Sequence, residues 1–130
     1  MSNFQREVIT DLNSKEFQRL VNGLSNNILV IKFTAEWCGP CQKIKPTVDQ
    51  WFNTLPDNVI LAEIDIDENL DLYMAFKRIK QIKGVPTIFA YYGNRTEENN
   101  FLPNDSVSGA DLIAVNAFFE RAATVAITLK

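Results

Sequence analysis

The sequence predicts an α/β fold: a central mixed β-sheet of four to five strands flanked by about four helices. Three observations carry this expectation. Strand-like apolar runs alternate with segments whose apolar residues recur every three or four positions. One run, Ile28-Leu29-Val30-Ile31-Lys32-Phe33, is too continuously apolar for a half-exposed strand and reads as a central strand covered on both faces. Late in the chain, Gly93-Asn94 begins a turn after another strand, so a hairpin should add antiparallel pairing to a right-handed β-α-β unit.

The elements follow in order. After a short lead over about residues 1–6, Val8-Ile9 is a short first strand. Asn13-Ser14-Lys15-Glu16 gives a capping signal, with Asn13 or Ser14 as the cap. Phe17, Leu20, Val21 and Leu24 then fall at helical spacing. Beyond the central strand, Ile44, Val48, Trp51, Phe52 and Leu55 define one face of a second helix, which Pro46 should kink. Val59 to Ile66 is the next strand. Leu72, Ala75, Phe76 and Ile79 mark a third helix. Ile88 to Tyr92 is a strand, Thr96 to Asn104 a polar loop, and Ser106-Val107 a short edge strand. A last helix starts near Asp111 with Leu112, Val115 and Phe119 inward, and a tail follows about residue 125.

The 130 residues fit a single domain. Hydrophobic residues make up 46% and charged ones 22%, with nine Phe, which is enough to fill a core. A net charge of −3 gives no basic field for nucleic acid or an acidic membrane, so neither is expected as a partner. The polar N-terminus has no apolar signal region, and no apolar run is expected to approach the roughly 18 residues that cross a bilayer. A cytoplasmic, monomeric protein is expected.

The chain has two cysteines and no histidine, which removes much chemistry. Ser-His-Asp and Cys-His catalysis are both excluded, and a zinc site would want four ligands, so no metal is expected. Cysteines three apart close too small a loop to act as a structural staple. What remains is a redox pair. Placed between a buried strand and a helix, Cys38 faces unpaired backbone N–H groups and the positive end of the helix dipole. Both favour the thiolate, which is the nucleophile. Cys38 should therefore attack a substrate disulfide, and the more buried Cys41 should resolve the mixed disulfide. Gly39 permits close approach, Pro40 suits an early helical position, and Trp37 is an exposed aromatic beside the reactive sulfur.

The segment Phe33-Thr34-Ala35-Glu36-Trp37-Cys38-Gly39-Pro40-Cys41 resembles the signature of the thioredoxin family, and Gly84-Val85-Pro86-Thr87 resembles its second motif. The resemblance runs from about Val8 to Phe119. It implies the thioredoxin fold and reduction of protein disulfides with no bound cofactor. Electrons would arrive from an NADPH-dependent flavoprotein reductase. It also implies that Pro86 is a cis proline facing Cys38, that the backbone at Val85 pairs with an extended substrate peptide, and that Gly109 lies on the same docking surface. The Gly-Pro pair between the cysteines resembles reducing members of the family. A rival reading keeps the fold but makes it a binding module that holds a partner around Trp37, Pro86 and Gly109, with redox activity incidental.

Two departures stand out. The family usually has a buried Asp six residues before the first cysteine, where this chain has Lys32; the family's partner position, commonly Lys, is Glu63. The charges have exchanged places, and each is costly in an apolar strand unless paired. One reading pairs Lys32 with Glu63 and lets Glu63 take the proton from Cys41. The other is a packing device, or side chains that snorkel to solvent. Extra residues also lengthen the third helix, the Thr96–Asn104 loop and the C-terminus. The run Asp65-Ile66-Asp67-Glu68-Asn69-Leu70-Asp71 looks like a calcium loop, but Leu70 stands where Gly is needed; these acids are expected to end a strand and cap a helix.

Overall fold

Five strands pair in the order β1-β3-β2-β4-β5, which puts the most apolar run of the chain in the middle. They are β1 (Val8–Ile9), β2 (Ile28–Thr34), β3 (Val59–Asp65), β4 (Thr87–Tyr92) and β5 (Asp105–Ser108). The coordinates, a computed structural model, describe residues 6–130. β2 runs parallel to β3 and antiparallel to β4, so the sheet is mixed as expected. Four helices cover it: α1 (Ser14–Asn22), α2 (Gly39–Thr54), α3 (Leu70–Arg78) and α4 (Leu112–Leu129).

Side chains alternate across a strand, and this sorts the core into two layers. Leu29, Ile31 and Phe33 pack with Phe17 of α1 and Leu72 and Phe76 of α3. Ile28 and Val30 pack with Ile44, Val48 and Phe52 of α2 and with Val115, Phe118 and Phe119 of α4. Lys32 shares its parity with this second set. The first layer is dense in aromatic rings: Phe76 meets Phe17, Phe33, Phe89 and Phe101 at centroid distances of 5.1 to 5.5 Å.

Local signals in the sequence explain most boundaries. Asn13 caps α1 in a reciprocal box, its Oδ1 accepting from the Glu16 N–H while Glu16 accepts from the Asn13 N–H. α2 runs through Pro46 from Gly39 to Thr54. Gly93 is required where β4 ends, because a Cβ there would collide with the backbone carbonyls of Ser25 and Asn27.

Several expectations need correction. Ile79 is not a core residue of α3; the helix stops at Arg78, Ile79 is partly exposed, and Ile82 beyond the helix fills the core instead. Leu112 is likewise partly exposed, and Phe118, Ala122 and Ala126 join Val115 and Phe119 on the inner face. The expected tail after residue 125 is helix up to Leu129. α4 is also long and apolar enough to cross a membrane by length and composition, contrary to the expectation that no apolar run approaches that length; the pair Glu120-Arg121 interrupts it. Its inner face lies on the sheet. Arg6, the last residue of the expected lead, lies in no strand or helix, and its guanidinium donates to the carbonyls of Leu55, Pro56 and Val59; the rest of the lead, residues 1–5, lies outside the described residues.

The polar loop has a structural role the sequence did not suggest. Phe101 stacks on Phe17 and meets Phe76 edge-on, while its carbonyl accepts from the Tyr91 hydroxyl at 2.9 Å. Arg95 lies 5.3 Å over the Tyr91 ring and donates to the Leu102 carbonyl. The loop is thus strapped onto the α1/α3 layer. Phe101→Ala should cost about 2 kcal/mol in chemical denaturation, from lost apolar area and ring contacts, with disulfide chemistry unchanged. A loss under about 0.5 kcal/mol would mean the loop is merely laid on the surface.

Candidate active site

The chain leaves β2, crosses Ala35-Glu36-Trp37 and enters α2 at Gly39, so Cys38 becomes the N-cap of that helix. Its backbone is extended (φ −89°, ψ 107°), and its Sγ accepts the Cys41 N–H at 3.1 Å. The sulfur takes the place a capping oxygen usually holds, at the positive end of the dipole. Pro40, in the first turn, lacks an N–H that would have no intrahelical partner there. Cys38 and Cys41 are joined as a disulfide with Cα atoms 5.2 Å apart. Cys38 is 4% exposed and Cys41 0%, so only Cys38 presents an edge to solvent.

Across from Cys38 lies the start of β4. The Val85–Pro86 peptide bond is cis, and the Val85 carbonyl oxygen is 3.7 Å from Cys38 Sγ. Gly109, at φ +88° where other residues are strained, donates its N–H to the Pro86 carbonyl at 3.0 Å. Thr87 Oγ1 closes the loop by donating to the Gly84 carbonyl at 2.7 Å. Lys83, Gly84, Val85, Pro86, Ser108 and Gly109 line a groove of about 480 Å³ on the β4/β5 side of the cysteines. Trp37, 68% exposed, stands beside them.

Asp67 fixes Trp37, and sequence reasoning missed it. The indole Nε1–H donates to Asp67 Oδ2 at 2.8 Å, and the Asp67 N–H donates to Asp65 Oδ1 at 2.8 Å. The acidic run therefore orients the exposed aromatic. It does not cap α3 as expected, because Asn69 makes no side-chain cap bond and instead ties Thr10, Leu12 and Asp65 together.

Lys32 and Glu63 stand side by side across β2 and β3, with Lys32 Nζ 3.3 Å from Glu63 Oε1. Lys32 is fully buried, and burial lowers its pKa while Glu63 pulls it back up. The other Glu63 oxygen is 3.6 Å from Lys45, which is 3.4 Å from Asp49. Lys45 and Asp49 escaped the sequence reading, although their spacing with Cys41 along α2 puts all three on one face. Glu63 also lines a cleft of about 470 Å³ on the β3 side of the motif, shared with Ala35 and Gln42, which flank the cysteines in sequence. Among the described residues, no hydrogen bond joins Glu63 to Cys41.

This arrangement can exchange a thiolate for a disulfide, and a groove opens beside it along Val85, Pro86 and Gly109. The family profile of thioredoxin matches residues 8–110. The chain belongs to the thioredoxin family. Its relatives include a thioredoxin of Geodia cydonium, 32% identical over 94 residues, covering 72% of this chain and 83% of that one. A chloroplastic thioredoxin-like protein of Solanum tuberosum is 30% identical over 82 residues, or 63% of this chain; the chain spans only 45% of that relative's length. A chain in the solved complex of ferredoxin:thioredoxin reductase with thioredoxin f2 superposes with a TM-score of 0.67 at 23% identity, over 88% of this chain and 94% of that one. The thioredoxin fold was expected and is present, with the Cys38–Cys41 redox pair at the end of its central strand.

Proposed function

We propose that this chain reduces disulfide bonds in other proteins, cycling between the Cys38–Cys41 disulfide and the dithiol. The observation that supports it most is the placing of Cys38 Sγ, at the tip of α2 and against the carbonyl of Val85 in the cis-Val85–Pro86 turn. The helix N-terminus favours the Cys38 thiolate. That thiolate attacks one sulfur of the substrate disulfide, forming a mixed disulfide and expelling the other sulfur as a thiolate, which solvent protonates. Cys41, deprotonated, then attacks Cys38 Sγ; the Cys38–Cys41 bond forms and the second substrate thiol leaves. Two electrons and two protons pass to the substrate. The backbone at Val85 pairs with the substrate strand, with Gly109 beside it and Trp37, Gly39 and Pro40 as the opposite lip.

No resident cofactor or metal enters this reading. The dithiol is regenerated by a reductase, which we take to be an NADPH-dependent flavoprotein; the structural likeness to a chain in the complex of ferredoxin:thioredoxin reductase with thioredoxin f2 supports a reductase partner in general, not its electron source. We further take the protein to act as a monomer in a reducing, cytoplasmic setting. The test is reduction of insulin-type interchain disulfides together with the reduction potential of the Cys38–Cys41 couple. A potential near that of reducing dithiols is expected, and a strongly oxidising one would overturn the assignment. Partner capture by the double Cys→Ser variant, with no reduction by the wild type, would instead favour the holding role.

Glu63 is proposed as the group that relays the Cys41 proton to solvent, because it is the one acid that touches both the buried Lys32 and the cleft flanking the motif. Glu63→Gln should slow resolution of a preformed mixed disulfide about tenfold near neutral pH and change its pH profile. An unchanged rate at every pH would leave Glu63 with a packing role only.

A further inference from the structure

The net charge is negative, yet one rim of the groove is positive. Lys77, Arg78, Lys80 and Lys83 lie on the exposed stretch from the end of α3 to the Gly84-Val85-Pro86 wall. Among the described residues, none of them has a carboxylate within 4.0 Å, although five ion pairs form elsewhere. Lys77 is drawn back over the Tyr73 ring and Arg78 onto the Met74 carbonyl, both along α3. Lys80 and Lys83 have no such engagement. Lys83 lines the groove itself.

The backbone adds a second observation. Lys80 sits at φ +60°, a left-handed conformation in which a side chain costs about 1 kcal/mol relative to glycine. There it reverses the chain, with the Lys80 N–H on the Lys77 carbonyl and the Gln81 N–H on the Phe76 carbonyl. A position where glycine fits more cheaply holds a cation, three residues before the cation that lines the groove. Asp71 on α3 feels the charge of Arg78, but among the described residues no carboxylate lies within 4.0 Å of Lys80 or Lys83. Asp111, the acid nearest Gly109 in sequence, has its carboxylate turned to the N–H groups of Ile113 and Ala114 at the start of α4. The acidic residues Glu36, Glu63 and Glu68 line the cleft on the β3 side, across the motif.

We propose that Lys83, supported by Lys80, makes this groove select extended substrate segments that carry a carboxylate side chain beside the disulfide cysteine. The inference rests on the reductase reading and names the substrate class of that same site. Charge complementarity identifies the occupant: a segment laid along Val85 and Gly109 passes Lys83, and an acid there meets an unpaired ammonium. Exposed pairs of this kind change rates by up to about fivefold each and fade with salt. A basic residue at the same place is repelled by a similar factor.

The experiment uses three disulfide peptides identical except for Glu, Gln or Lys next to the cysteine. At about 20 mM salt the order of kcat/KM should be Glu, Gln, Lys, with about a tenfold spread that falls to about twofold at 0.5 M. Lys83→Glu should reverse the order. Lys15→Glu, on α1 with the same change in net charge, should leave it intact. Affinities for the same peptides with serine in place of cysteine provide a redox-free reading of the order. Equal values for the three peptides, or an order unmoved in Lys83→Glu, would overturn the proposal. Turnover of none of the peptides would sink the reductase reading, while the binding order would still decide the charge preference.

Discussion

Cys38→Ser is expected to abolish disulfide reduction, by at least about a thousandfold in steady-state turnover. The reason is specific to the position. Cys38 is the N-cap of α2, with its sulfur on the Cys41 N–H and its outer edge toward the groove. Serine caps a helix as well or better, so the fold should hold. It has no accessible anion near neutral pH and forms no disulfide with the substrate. Thermal denaturation of Cys38→Ser under reducing conditions should therefore match the reduced wild type within about 1 kcal/mol. Retained turnover would show that another group carries the chemistry, and Cys41 is fully buried.

Glu63→Ala should have the second large effect, on stability. Lys32 is buried with Glu63 as its close anionic partner, at 3.3 Å, and removing one member of a buried pair typically costs about 3–5 kcal/mol. Lysine has an escape: it can give up its proton. From its ordinary value of 10.5, doing so at pH 7 costs at most about 5 kcal/mol, which caps the loss. Partial exposure of Glu63 and the nearness of Lys45 pull the expectation to about 3 kcal/mol. Burial already lowers the Lys32 pKa in the wild type, and the variant should lower it further. The unfolded chain then holds that proton more tightly than the folded one, so stability rises with pH between the lowered folded value and 10.5. The loss in Glu63→Ala should accordingly shrink by up to about 1.4 kcal/mol per pH unit on the way from pH 7 to pH 10. Lys32→Met, which removes the buried charge and leaves Glu63 its contact with Lys45, should be neutral or stabilising. Urea denaturation of both variants across that range checks the asymmetry; equal losses would mean that Lys32 is solvated through the cleft.

The residues that were legible from sequence are those whose neighbours in sequence are also their neighbours in space. Cys38, Cys41, Gly39 and Pro40 share one helix turn, and the capping of α1 by Asn13 needs only Glu16. The pairing of Lys32 with Glu63 is one of two readings that the family's partner positions leave open, and the parallel register of β2 and β3 decides for it by setting the two side by side. What escaped depends on long-range packing. Asp67 holding Trp37 joins segments thirty positions apart, and nothing local marks it. Lys45 joins the charge network beside the buried Lys32 through its place on α2 near Glu63 of β3. Ile79 and Leu112 fit their helical patterns, yet each sits at a helix end where the inner face has already turned away. The Thr96–Asn104 loop reads as polar because its single aromatic anchor, Phe101, is outnumbered by its polar residues.

The direct test of the order of attack is a trap. Cys41→Ser, reduced and mixed with a disulfide substrate protein, should form a stable mixed disulfide through Cys38, readable by non-reducing electrophoresis and by mass of the Cys38 peptide. Cys38→Ser should form none. Adduct on Cys41 in the Cys38→Ser variant, or no adduct on Cys38 in Cys41→Ser, would contradict the assignment of Cys38 as nucleophile and Cys41 as the resolving thiol.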